Sequence, residues 1–181
     1  MGPSAVGVPF PKLGPYQPSD IDVVAAFDID ARKAGRDLAE AVFAAPNCTT
    51  VFYPNLPKLN VVVGRGPSLD GMTVFMGNQA QQRSFVPSQD AEMSAADVVA
   101  SLKAAQTQVV ISFLPVGSQQ ASEFYASCAM EAGAAFVNAI PVFLASNPTW
   151  ANAFRQRGLP ILGDDFKAQV GATILHRTLA H

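Results

Sequence analysis

From residue 20 onward, short apolar runs alternate with stretches of helical period, and this alternation constrains the fold more than any other feature. DIDVVAAFDID (20–30) is an apolar run ending in acids, the pattern of a strand buried on both faces. ARKAGRDLAEAVFAA (31–45) places Ala31, Ala34, Leu38, Val42 and Phe43 at helical spacing, with Asp30 positioned to cap. TTVFYP (49–54) and LNVVVGRGP (59–67) read as short strands. The polar stretch 66–93 reads as a long loop holding a short helix. Ser94, with Asp97 three residues on, opens a helix through SAADVVASLKAA, and QVVISFLP follows as a strand. GSQQASEFYASCAMEAG predicts a helix closing at Gly133, then AAFVNAIPVF a strand and loop. In NPTWANAFRQRG, Asn147 caps, Pro148 takes the first turn and Gly158 ends the helix. LPILGDD is a last strand and FKAQVGATILHRTLA a last helix. Near-continuous apolar strands separated by helices imply an α/β fold with a doubly wound, mostly parallel sheet and right-handed crossovers.

Residues 1–20 carry five prolines and three glycines without periodicity, so they are expected to form an irregular arm before a single domain over 21–181. Hydrophobic residues make up 49% of the chain and charged residues only 14%, so some faces are expected to pack against other parts of a larger protein. A net charge of −2 without a basic cluster argues against nucleic acid as a partner. No apolar run reaches the ~20 residues that span a bilayer, and the N-terminus lacks the order of a signal peptide. A cytoplasmic protein without membrane contact is the expectation. Cys48 and Cys128 lack metal-ligand spacing, and Cys128 reads as a buried free thiol on a helix.

In open α/β sheets ligands bind beyond the carboxyl ends of the strands, which directs attention to the loops there. Asp28, at the end of the first strand, suits hydrogen bonding to the ribose hydroxyls of a dinucleotide, and equally suits the start of a helix. No glycine-rich phosphate loop precedes it. In SFLPVGS, Pro115 and Gly117 make a turn that leads Ser118 into a helix N-terminus, either an anion cradle or a plain tight turn. Asn138 offers both donor and acceptor groups after another strand. In GDDFK, Lys167 stands three residues past Asp164, within reach of one helical turn. The residues leave two readings open there, a capped helix with a surface ion pair and a catalytic pair.

Taken together, VAAFDID, RGPSLDG, ISFLPVGSQQASEFYASCAMEAGAAFVNAIPVFLASNP and GLPILGDDFKAQVGATILHR closely resemble bacterial, especially actinobacterial, myo-inositol-1-phosphate (inositol-3-phosphate) synthases, in the same order and over roughly 14–180. The resemblance implies a Rossmann-like domain and an NAD-dependent isomerase, serving inositol and phospholipid biosynthesis. Such enzymes convert D-glucose 6-phosphate to 1L-myo-inositol 1-phosphate by oxidation at C5, aldol ring closure and re-reduction. It further implies Asp28, Asp37, Ala105, Leu114, Pro115, Gly117, Tyr125, Asn138 and Ala168 beside the cofactor. Asp164 and Lys167 fall at the catalytic nicotinamide region, with Asp164 also at a divalent or monovalent cation. Ala168 replaces a family serine, the loss of one hydroxyl donor worth about 1 kcal/mol where that bond exists.

Against the family pattern, the first strand with its glycine loop and the catalytic and tetramerisation domain are both expected to be missing. The expectation is therefore a partial NAD-binding domain, inactive alone, that self-associates or pairs with a missing domain. The alternative is a non-catalytic nucleotide-binding or subunit-pairing module. A different NAD-linked oxidoreductase is disfavoured, because the only histidines, His176 and His181, lie at the extreme C-terminus and His176 suits a helix end better than a base.

Overall fold

The structure, a computed structural model, describes residues 10–45, 47, 50–73, 79–80, 84–166 and 177–180. The class is α/β with parallel pairing, as the alternation requires. The sheet, however, is divided. β1 (Phe27–Asp28) pairs in parallel with β2 (Gly64–Arg65), and β3 (Val109–Ser112), β4 (Ala135–Asn138) and β5 (Ile161–Leu162) form a separate parallel sheet in that order. Among the described residues no backbone hydrogen bond joins the two.

The helices with clear local start and stop signals form where the sequence places them. α2 (Ala95–Ala104) begins at Ser94, whose hydroxyl and amide exchange hydrogen bonds with Asp97. α3 (Gln119–Ala132) ends at Gly133, where φ is +81° and the left-handed turn suits glycine. In α4 (Pro148–Gln156), Asn147 accepts from the Thr149 amide at 2.9 Å, Pro148 occupies the first turn and Gly158 lies just past the end.

Three expectations need correction. The helix over 31–45 shrinks to α1 (Leu38–Ala41), capped by Asp37 rather than Asp30. Gly35 (φ +79°) turns the chain, and the amides of Gly35 and Leu38 donate to the carbonyls of Val63 and Val61, so pairing with the approach to β2 displaces helix. Neither 50–54 nor 59–63 becomes a named strand, and Phe52 is 88% exposed. Pro54 and Pro57 remove ladder donors there. The described residues of 66–93 contain no helix.

α2 and α3 pack on each other, and α3 also packs on β3 and β4. One core centres on the fully buried Phe136 and Phe154, with Ala126, Ala129 and Leu144 around them. A second joins Val98, Leu102 and Cys128 to Phe27 of β1 and Val110 of β3. Cys128 is the expected buried free thiol, raised to about 11 by burial and then by the charge of Glu131. The opposite face of β3–β5 is open, with Val109, Ile111 and Leu162 about half exposed or more.

Candidate functional site

Parallel pairing brings the carboxyl ends of β1 and β2 together, and likewise those of β3, β4 and β5. At the end of β1, Asp28 accepts from the Asp30 amide at 2.9 Å and lies 3.7 Å from the Lys33 ammonium, with its carboxylate partly exposed. Asp30 is fully buried and has another task. Its carboxylate takes the Arg32 amide and guanidinium and the Val86 amide at 2.5–2.9 Å, which fastens the 84–88 segment beside β1. Burial works to raise the Asp30 carboxyl, but the Arg32 side chain and the two amides outweigh it and hold it below the ordinary range.

Arg65 ends β2 and is buried. Its guanidinium donates to the carbonyls of Gly66 and Ser88, to Ser68 Oγ and to Glu92, fixing the loop that follows. At the far end of that loop Asp70 accepts from the Gln120 and Ala121 amides at 2.7 and 3.0 Å. The N-terminus of α3, which the sequence offers as an anion cradle, thus already holds a carboxylate from within the chain. Gly71 (φ +82°) sits so close to the buried Ser118 that a Cβ would collide with its hydroxyl. Gly71→Ala is therefore expected to cost about 1–3 kcal/mol; an unchanged urea midpoint would show that the loop does not rest on Ser118.

Beyond β3, Leu114 packs on the larger core, Pro115 accepts from the Ser118 amide, and Gly117 (φ +95°) faces open space. Tyr125 of α3 lies 5.8 Å from the Phe27 ring, with its hydroxyl against Gly66. Burial, followed by the neighbouring Cys128 and Asp28, pushes its phenol above the ordinary value, so it stays neutral. Tyr125 therefore links the first sheet to α3 beside the rim.

At the ends of β4 and β5, Asn138 is fully buried and donates to Asp164 at 2.9 Å and to the Val142 carbonyl. Asp164 also accepts from the amides of Leu144, Ala145 and Ser146 and from the Ser146 hydroxyl. Gly163 (φ +138°) permits this approach, since a Cβ would come within 2.6 Å of the Asn138 carbonyl oxygen. Phe166, three residues past Gly163, meets Phe113 edge-on at 5.9 Å. The GDDF segment and the exit of β3 are therefore neighbours.

The structure brings Asp28, the 65–71 loop, Pro115–Ser118, Asn138 and Asp164 to the carboxyl side of the strands. It does not bring Asp37 or Ala105 there. Asp37 caps α1 and accepts from the Ala39 and Leu59 amides beside the approach to β2. Ala105 lines a hollow with Ile21, Val24, Leu59 and Val61, all of which precede β1 or β2. Both stand at the opposite, amino edge. Lys167, Ala168, Cys48, His176 and His181 lie outside the described residues.

Asp164 does not fit a cation in this arrangement. Five protein donors converge on a carboxylate with about four lone-pair positions. Among the described residues no cluster of three or more His, Cys, Asp or Glu side chains could hold a metal. For a dinucleotide, Asp28 fits the ribose end by position and exposure, whereas the pyrophosphate has no free amide cradle at α3 while Asp70 remains seated. The clamps made by Arg32, Arg65 and Asp70 escaped the sequence reading. Asp70 and position 120 are fifty residues apart, so no local pattern connects them. No helix among the described residues is long and apolar enough to cross a membrane.

No family model matches the chain. It is 49% identical over 169 residues to an inositol-3-phosphate synthase of Mycolicibacterium smegmatis, covering 93% of this chain and 44% of that protein. Proteins of the same name from Mycobacterium tuberculosis and Corynebacterium glutamicum match at 49% identity with the same coverage. The chain thus spans less than half the length of these relatives. Among solved structures, the crystal structure of Ari2 superposes with a TM-score of 0.77 at 30% identity, covering 97% of this chain and 47% of that one.

Proposed function

Because the chain belongs to the inositol-3-phosphate synthase family, matching under half the length of its relatives, we propose that it is the cofactor-side portion of an isomerase. That enzyme would convert D-glucose 6-phosphate to 1L-myo-inositol 1-phosphate with NAD, and this portion would be inactive by itself. The observation that supports the reading best is the junction of two family motifs at one rim, where Asn138 holds Asp164 and Phe113 meets Phe166. NAD would take a hydride from the substrate and return it, leaving no net redox change.

The chain's own residues divide the remaining work. Asp28 would accept hydrogen bonds from ribose hydroxyls, and its charge would repel a 2′-phosphate. Asp164 is better read as a positioning residue than as a metal ligand or proton carrier, because the 144–146 loop and Asn138 already occupy it. Lys167 would contribute one cation toward oxyanion stabilisation, a task that needs several positioned cations. A second reading, a non-catalytic nucleotide-binding or subunit-pairing module, is favoured by Asp70 sitting on the α3 amides.

Purified 1–181 is expected to form no inositol phosphate from glucose 6-phosphate and NAD above a heat-treated control, and to bind NAD more weakly than micromolar by calorimetry. A chimaera in which it replaces the matched region of the M. smegmatis relative is expected to form product. A chimaera that folds yet forms none would favour the non-catalytic module. Product from the isolated chain would overturn its assignment as an incomplete portion.

A further inference from the structure

Two groups compete for the same amides at the start of α3. A serine directly before a helix ordinarily accepts from the second or third amide within it, and for Ser118 these belong to Gln120 and Ala121. Both instead donate to Asp70, at 2.7 and 3.0 Å, from a distant part of the chain. The other caps follow the rule. Asp37, Ser94 and Asn147 have extended backbones, with ψ of 138°, 168° and 120°, and each accepts from an amide two or three residues on. Ser118 has a ψ of 63° and makes no such bond. Its hydroxyl is fully buried and has no hydrogen-bond partner among the described residues. It lies against Gly71, next to the carboxylate that has taken its place. A buried hydroxyl without a partner is destabilising, and one local rotation would relieve it.

The carboxylate belongs to an irregular piece of chain. Residues 66–71 run from the end of β2 to the start of α3 without regular structure, and Ser68 and Leu69 are exposed. Their near end is fixed by Arg65, which donates to the Gly66 carbonyl and Ser68 Oγ, and by Glu92, which accepts from the Ser68 amide. Their far end holds to α3 through Asp70. Gly117 (φ +95°) directly precedes Ser118 and faces open space, so rotation there meets no obstacle and can bring Ser118 into an extended cap.

We propose that residues 66–71 are a strap across the carboxyl rim that exchanges between two positions, because α3 has two caps. In the closed position Asp70 holds the Gln120 and Ala121 amides. In the open one Ser118 turns about Gly117, takes those amides itself, and Asp70 passes to water. The helix end is satisfied in both, so opening forfeits little. The strap begins beside Asp28, whose carbonyl accepts from the Gly66 amide, and its opening widens the approach to the rim from that side. The inference concerns the chain's own conformations and stands whether or not this portion takes part in catalysis.

Relaxation dispersion of the full chain is expected to show microsecond-to-millisecond exchange at the Asp70 and Gly71 amides. Ser118→Ala, which removes the cap of the open position, should quench it. Hydrogen exchange tests the shared helix end. Protection of Gln120 and Ala121 should stay within about threefold of wild type in Asp70→Ala and in Ser118→Ala, and fall about tenfold or more when the two are combined. Asp70→Asn with Ser118→Ala keeps an acceptor oxygen on the strap and should retain that protection, which separates loss of the cap from failure to fold. A wild-type strap without exchange would overturn the proposal. So would exchange that persists in Ser118→Ala, or Gln120 and Ala121 already unprotected in Asp70→Ala.

Discussion

Replacing Asp164 with alanine is expected to lower the free energy of unfolding by about 3 kcal/mol. Five donors converge on this carboxylate from Asn138, Leu144, Ala145 and Ser146. Each buried donor left without an acceptor costs about 1–3 kcal/mol, although Ser146 can turn to water. Asp164→Asn should be nearly as damaging, because its NH2 would face donors. Urea denaturation decides the matter: a loss below about 1 kcal/mol would mean that the 144–146 loop does not depend on Asp164. The result also bears on function, since a residue committed to this loop is not free to ligate a cation.

Asp30→Ala is expected to cost about 3 kcal/mol, because Asp30 is buried and accepts several hydrogen bonds while its partner Arg32 is a quarter exposed. It would leave the Val86 amide without its acceptor and take from the Arg32 guanidinium its carboxylate, leaving it the Ser84 carbonyl. Adding Arg32→Ala should cost less than the sum of the two single changes, because the pair shares one interaction. Equal additivity would show that Asp30 acts through Val86 alone. Acid should reveal the same network. Asp30 and Asp164 both bind protons less readily in the folded chain than in the unfolded one. For Asp164, burial works to raise the value, and the Asn138 and Ser146 side chains with the Ala145 and Leu144 amides outweigh it. Stability from both groups is therefore complete above their ordinary value of 3.8 and is lost as pH falls through the lower folded values. The variants should show a flatter dependence of urea midpoint on pH in that acid window.

The parts of the fold legible in the sequence are those whose causes are local. The Ser94–Asp97 exchange, the Asn147 cap with Pro148, and Gly133 at the end of α3 each involve residues within one turn. The parallel pairing of β3, β4 and β5 followed from apolar runs separated by helices. The interval 31–45 was misread because two distant carbonyls, those of Val61 and Val63, compete for its amides. Asp30 looked like a helix cap and is instead a clamp on a segment far along the chain. The acids of the rim were visible as residue types, but their partners were not. Asp70 and Asp164 spend their oxygens on backbone amides, which any sequence would supply at those positions. Asp37 and Ala105 stand apart from that rim, on the amino edge of the strands, a placement no residue type announces.

The Asp30 clamp has a consequence for synthesis. The Val86 amide lies 56 residues downstream of the carboxylate that needs it. At about 5–20 residues per second, a ribosome would keep the two apart for roughly 3 to 11 seconds. Through that interval Asp30 and Arg32 must stay hydrated at the tunnel mouth, and β1 cannot be locked until translation has passed the 84–88 segment.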